Sequence, residues 1–211
     1  MKHHGLLFKD DMVRALLDGR KTQTRRVLKP QPPKGYELAC STFEENIYWR
    51  HESDENGIET ELCERWNGAV PGDRLWVREA HALVGHVDPP WCLYRASGYE
   101  NECRRLGLEN CPQAEPKWRP SIHLPRWASR LTLTVTGVGI ERLRDISVSD
   151  ALAEGIEVET ETAQGGCFYD GPEIYDGPLE AFSALWDSIN GRGAWDGNPW
   201  VAAYTFTVRR G

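Results

Sequence analysis

The sequence predicts an α+β fold, a small β-barrel with helices over its ends and two long insertions. Residues 130–138 and 200–208 alternate apolar and polar side chains, the period of a half-buried strand. Helical patterns are few and short. The order of elements is mixed, with no βαβ rhythm and no internal repeat.

Asp10-Asp11 open a short helix, with Met12, Val13, Leu16 and Leu17 at helical spacing and Gly19 at its end. Arg20 to Arg26 follow, and Pro30, Pro32 and Pro33 then stop regular structure. The first insertion, 34–68, is acidic and weakly patterned, a surface excursion with a short hairpin. Val70-Pro71-Gly72-Asp73 is a turn, and residues 74–79 alternate as a strand. The second insertion, 85–116, holds Pro89-Pro90, several glycines and three cysteines. Pro120 to Pro125 is expected to be extended, with Ile122 and Leu124 on one side. Leu131, Leu133 and Val135 point inward from the next strand. Ser147 to Asp150 has the form of a capping box, and its helix runs to Glu154 before Gly155. Pro178 starts a helix whose buried stripe is Leu179, Phe182, Leu185, Trp186 and Ile189. A final strand turns Trp200, Ala202, Tyr204, Phe206 and Val208 to one face.

The 211 residues and 24.0 kDa fit one domain, 1–211, carrying those insertions. No apolar run approaches the roughly 20 residues of a bilayer span. With no signal peptide, the expected location is the cytoplasm. The net charge of −7 excludes a uniformly basic coat. It is unevenly placed: residues 1–30 hold eight Lys/Arg against three Asp, and residues 37–64 hold nine acids against Arg50. A basic face on an acidic protein suits local anion binding. There are nine tryptophans, and several adjoin Arg or Asn, as Trp118 and Trp127 do; those are candidates for base stacking. The six cysteines have no CxxC spacing and are expected to be reduced thiols. Zinc held by Cys92, Cys103 and Cys111 with His81 or His86 is a weaker alternative. His123 is read as structural.

Arg20-Lys21-Thr22-Gln23-Thr24-Arg25-Arg26 concentrates cations and hydroxyls. In a helix or turn, Lys21 and Thr24 would be i, i+3 neighbours. A lysine made neutral by burial and nearby arginines can take the proton of a threonine hydroxyl and make it a nucleophile. The alternative is an anion-binding loop without chemistry, and composition alone favours that.

Gly19-Arg20-Lys21-Thr22-x-Thr24-x-Arg26 resembles the signature of the ASCH superfamily, relatives of the PUA RNA-binding domain. Gly72 to Glu79 resembles that family's second motif. Pro120 to Arg130 and Asn198-Pro199-Trp200-Val201 resemble its prophage-encoded branch. The resemblance implies a PUA-like barrel. Some small members are amidohydrolases that remove the acetyl group of N4-acetylcytidine with a Lys, a Thr three residues on and a distant Glu, and need no metal or cofactor. Lys21 and Thr24 fill the first two positions. Glu154, eleven residues after Leu143, fills the third, and Glu79 is the reserve. The implied roles are Thr24 as nucleophile, Lys21 as base and Glu154 as assistant. Arg20, Arg25, Arg26, Trp76, Arg78, Glu79, Arg126, Trp127 and Asn198 are the candidates for binding a nucleoside or RNA. Glu79 could also pair with Arg26 or Lys21 as a structural ion pair. Other members bind nucleic acid or cleave it, so a binding module without turnover, or more weakly a nuclease, stays open. The small amidohydrolases are about half this length.

Overall fold

The two alternating segments become the longest strands and lie side by side. The computed structural model describes residues 3–42, 46–51, 60–65, 67–85, 88–107, 116–159, 166–168 and 173–211. Its strands are β1 (His3–Leu7), β2 (Gln23–Val27), β3 (Tyr36–Thr42), β4 (Asn46–His51), β5 (Thr60–Arg65), β6 (Arg74–Arg78), β7 (His81–Val84), β8 (Trp91–Tyr94), β9 (Leu131–Arg142), β10 (Glu157–Glu159), β11 (Gly166–Phe168) and β12 (Trp200–Arg210). Its helices are α1 (Asp10–Leu17), α2 (Tyr99–Arg105), α3 (Val148–Ala153) and α4 (Pro178–Asn190).

The main sheet has five strands in the order β1-β6-β9-β12-β2. Only β1 and β6 run parallel, and the other neighbours are antiparallel. The sheet curls into a half-barrel. An Arg26 Nη2 hydrogen bond to the Leu7 carbonyl, 3.1 Å long, joins one edge strand to the other. Its concave face carries Leu131, Leu133 and Val135 of β9 and Phe206 of β12. Met12, Val13 and Leu16 of α1 and Phe182, Leu185 and Trp186 of α4 complete the same core.

Local chemistry explains the helix limits. Asp10 and Asp11 occupy the first turn of α1, where the helix dipole favours acids. Ser147 caps α3 by accepting the Asp150 N–H at 3.1 Å. Pro178 opens α4, where its missing N–H costs nothing.

Three expectations about shape are corrected. Residues 34–68 contribute to the core: Trp49 on β4 is fully buried and meets Trp200 edge-on at 4.9 Å. Their three-stranded sheet, β3-β4-β5, therefore supplies apolar surface that the acidic composition concealed. Residues 121–123 form a 3-10 turn rather than an extended piece, because the His123 and Leu124 N–H groups bond back to Pro120 and Ser121. Cys103 is disulfide-bonded, not a free thiol. Among the described residues no helix is long and apolar enough to cross a membrane.

Candidate active site

Lys21 does not stand one helical turn from Thr24. The chain leaves α1 through Gly19, whose φ of +77° is open to glycine, and residues 23–27 enter the sheet as β2. The strand wins because β12 offers a complete ladder, with Thr24 opposite Tyr204. Thr24 is 1% exposed.

Lys21 lies just before β2 and is fully buried. Its Nζ donates to Glu154 Oε2 at 2.6 Å and to the Glu154 carbonyl at 2.7 Å. Glu154 follows the last turn of α3, and Gly155 makes that approach possible. Gly155 has φ +102°, and a Cβ there would stand 2.9 Å from the Ala15 Cβ and 3.4 Å from the Lys21 Cβ. Burial pushes the Lys21 ammonium below the ordinary lysine range. Glu154 opposes the shift and the Arg26 charge adds to it.

Thr24 Oγ1 accepts from Arg26 Nη1 at 3.0 Å. No hydrogen bond joins Lys21 to Thr24 among the described residues. Lys21 and the Arg26 that holds Thr24 share one ring instead: Lys21 Nζ lies 5.9 Å and Arg26 Cζ 5.2 Å from the centre of Phe8. Arg25, on the other face of β2, binds Glu141 Oε1 at 2.7 Å, Gln23 Oε1 at 3.1 Å and Glu154 Oε1 at 3.4 Å. Glu154 is thus held by Lys21 on one oxygen and by Arg25 on the other. Asp150 accepts from Gln23 at 2.8 Å. Its carboxyl lies below its usual range: burial pushes it up, but hydrogen bonds from Ser147 and Gln23 and the Arg25 charge outweigh that.

Beside this group is a cavity of about 590 Å³, lined by Phe8, Arg26, Trp118, Glu154, Phe182 and Trp186 among others. That volume and aromatic lining are usual for a small-molecule site. Trp118 stood out in the sequence because it lies between two cations. Phe8 and Trp186 carried no such signal, since one ends a short apolar run and the other belongs to the core stripe of α4.

Other candidates lie elsewhere. Arg20 bridges Asp18 at 3.1 Å and Glu157 at 2.5 Å and ties down the Gly155 carbonyl at 3.0 Å, a structural clamp outside the cavity. Glu79 pairs neither with Arg26 nor with Lys21. Arg130 takes both of its oxygens, at 2.9 and 2.7 Å, and Arg130 stacks on Tyr94 at 4.1 Å. Asn198 holds a turn at φ +40°, its side-chain oxygen accepting the Arg144 N–H at 2.9 Å. Trp76 and Arg78 share the face of β6 opposite the core, where the Trp76 ring lies over Gly5. Arg78 and Arg126 approach that ring at 5.1 and 5.9 Å, and Trp127 is 55% exposed nearby in sequence. This cluster borders the cavity: Arg78 pairs in register with Leu7 and bonds the Ile122 carbonyl, while Leu7 and Ser121 line the cavity.

Cys92 is buried and free, its thiol pushed up to about 11 by burial. Cys111 and His86 lie outside the described residues, and among the described residues no group of three His, Cys, Asp or Glu could hold a metal ion. No family model, curated protein or solved structure matches the chain.

Proposed function

We propose that the chain is an amidohydrolase on a PUA-like half-barrel and removes an acyl group from the exocyclic amine of an N4-acylated cytosine nucleoside. The observation that carries this is the buried Lys21–Glu154 pair, 2.6 Å long, whose Glu154 lines an aromatic-walled cavity while Lys21 and Thr24 lie buried behind that lining. Burying an ammonium is costly, and a lysine whose pKa is lowered, bonded to a carboxylate that lines the cavity, is suited to proton transfer.

In the proposed reaction the substrate base stacks among Phe8, Trp118 and Trp186. Its amide carbonyl draws the Arg26 guanidinium away from Thr24, and Arg26 stabilises the developing oxyanion. Thr24 Oγ attacks the carbonyl carbon while neutral Lys21 accepts the hydroxyl proton. The C–N bond breaks, the proton passes to the departing amine, and an acyl-threonine remains. Water then releases the carboxylic acid and restores Thr24. Glu154 positions Lys21. The residues require no metal for these steps.

The reading of a binding module without turnover is favoured by one observation: Thr24 Oγ1 is engaged by Arg26 and not by Lys21. Incubation with N4-acetylcytidine, following cytidine release, separates the two. Release that is lost in Thr24→Ala supports the hydrolase. Absence of release by a protein that binds single-stranded RNA supports the module.

A further inference from the structure

We infer that the cavity takes a pyrimidine nucleotide carrying one phosphate in preference to the neutral nucleoside. This rests on the cavity being the ligand site, as proposed above, but not on catalysis.

Charge is the first reason. In a chain of net charge −7, five cationic side chains and only two carboxylates line this cavity. Of these, Glu154 is already paired with Lys21 and Arg25 with Glu141, which leaves Lys9, Arg26, Arg95 and Arg119 against Asp10. Arg26 and Arg119 have no carboxylate within ion-pair distance among the described residues, and Arg119 is exposed beside Trp118. A cavity with this balance concentrates anions.

The second reason is the state of Asp10 and Arg95. Arg95 Nε donates to Asp10 Oδ2 at 2.5 Å, and both residues line the cavity. The other oxygen, Asp10 Oδ1, is buried without a hydrogen-bond partner. An unsatisfied buried carboxylate oxygen is a standing cost to this arrangement. Asp10 thus occupies Arg95 as an internal anion that a better one can displace. A phosphate, with three strong acceptor oxygens, can bind Arg95 and Arg119 together.

The third reason is an unused donor. Trp186 lines the cavity, and its indole N–H is buried without an acceptor. A pyrimidine carbonyl supplies one, and Phe8 and Trp118 supply flat apolar surface for the ring. A volume of about 590 Å³ holds one nucleotide and not a strand.

The test is calorimetric titration of the full chain at low salt with cytidine, cytidine 5′-monophosphate and a single-stranded cytidine trinucleotide. The monophosphate is expected to bind about tenfold more tightly than cytidine, the scale of one charge-assisted contact. Arg119→Gln, at an exposed position, should remove most of that difference and leave cytidine affinity unchanged. Asp10→Asn should tighten the monophosphate severalfold by freeing Arg95. Equal affinity for cytidine and its monophosphate overturns the inference and leaves the base site standing. A trinucleotide bound more than tenfold tighter than the monophosphate overturns it in favour of a strand. Binding of none of the three, by a folded protein, removes the cavity as a ligand site and the hydrolase reading with it.

Discussion

Two buried ion pairs divide the molecule. Glu79–Arg130 is bidentate, with both carboxylate oxygens used, a stacked tyrosine on the guanidinium and Glu102 at 3.6 Å from another guanidinium nitrogen. Lys21–Glu154 is a single side-chain bond backed by a main-chain carbonyl, with Arg25 behind the carboxylate. Burial acts on both pairs, raising Glu79 and lowering Lys21. Their consequences differ because an arginine does not give up its proton and a lysine can. The first pair locks the β7–β8 region onto the sheet. The second reaches the cavity through Glu154 and is the pair to which the proposed function assigns proton transfer. Burial alone therefore does not mark a functional charge; the partner's chemistry and access to a cavity do.

That contrast can be broken by substitution. The largest effect is expected for Thr24→Ala, which should abolish cytidine release from N4-acetylcytidine while changing stability by about 1 kcal/mol, the value of one hydroxyl hydrogen bond. Lys21→Met should lower turnover by about 10²–10⁴-fold, the range of a general base. Its stability cost should stay below that of Glu79→Ala, because Arg25 still faces Glu154 and an ammonium no longer has to be buried. The wild-type kcat/KM should rise with pH through a value below the ordinary lysine range, since only neutral Lys21 accepts a proton. A rate independent of pH across that limb would remove Lys21 from the base role.

Glu79→Ala should destabilise the fold in urea denaturation by up to about 3 kcal/mol, less than a fully broken buried pair because Glu102 still faces Arg130 at 3.6 Å. Turnover per folded molecule should not change. If turnover falls and stability does not, the two pairs have exchanged roles. The smallest effect is expected for Trp127→Ala, within about 0.5 kcal/mol of stability as for other exposed positions. If the Trp76 surface stacks bases, that variant should still weaken single-stranded RNA by about 1–3 kcal/mol.

Much of this frame was legible in the sequence. The alternation around Leu133 and Phe206, the Ser147 cap and Pro178 each record a local requirement of the backbone. The position of Glu154 against Lys21, 133 residues away, was reachable only through the family resemblance. What stayed hidden depends on distant partners. His3–Leu7 is too short to declare itself a strand and exists because β6 accepts it in parallel. The segment around Thr24 read as a turn because its ladder partner lies near residue 204. Trp49 sat in an acidic stretch that gave no hint of Trp200. The partner of Glu79 is an arginine 51 residues on that motif spacing does not indicate. The cavity itself gathers Phe8, Trp118 and Trp186 from three separate regions.

The Arg26 bond to Leu7 has a consequence for solubility. An open sheet has two unpaired borders, and a strand from another molecule can extend either one. Here β1 and β2 are those borders, and a single guanidinium stitches the end of one to the other. The Leu7 carbonyl is thereby withdrawn from intermolecular pairing, and the bulk and charge of Arg26 obstruct the approach. The same side chain that faces the cavity also occupies an acceptor of the opposite border.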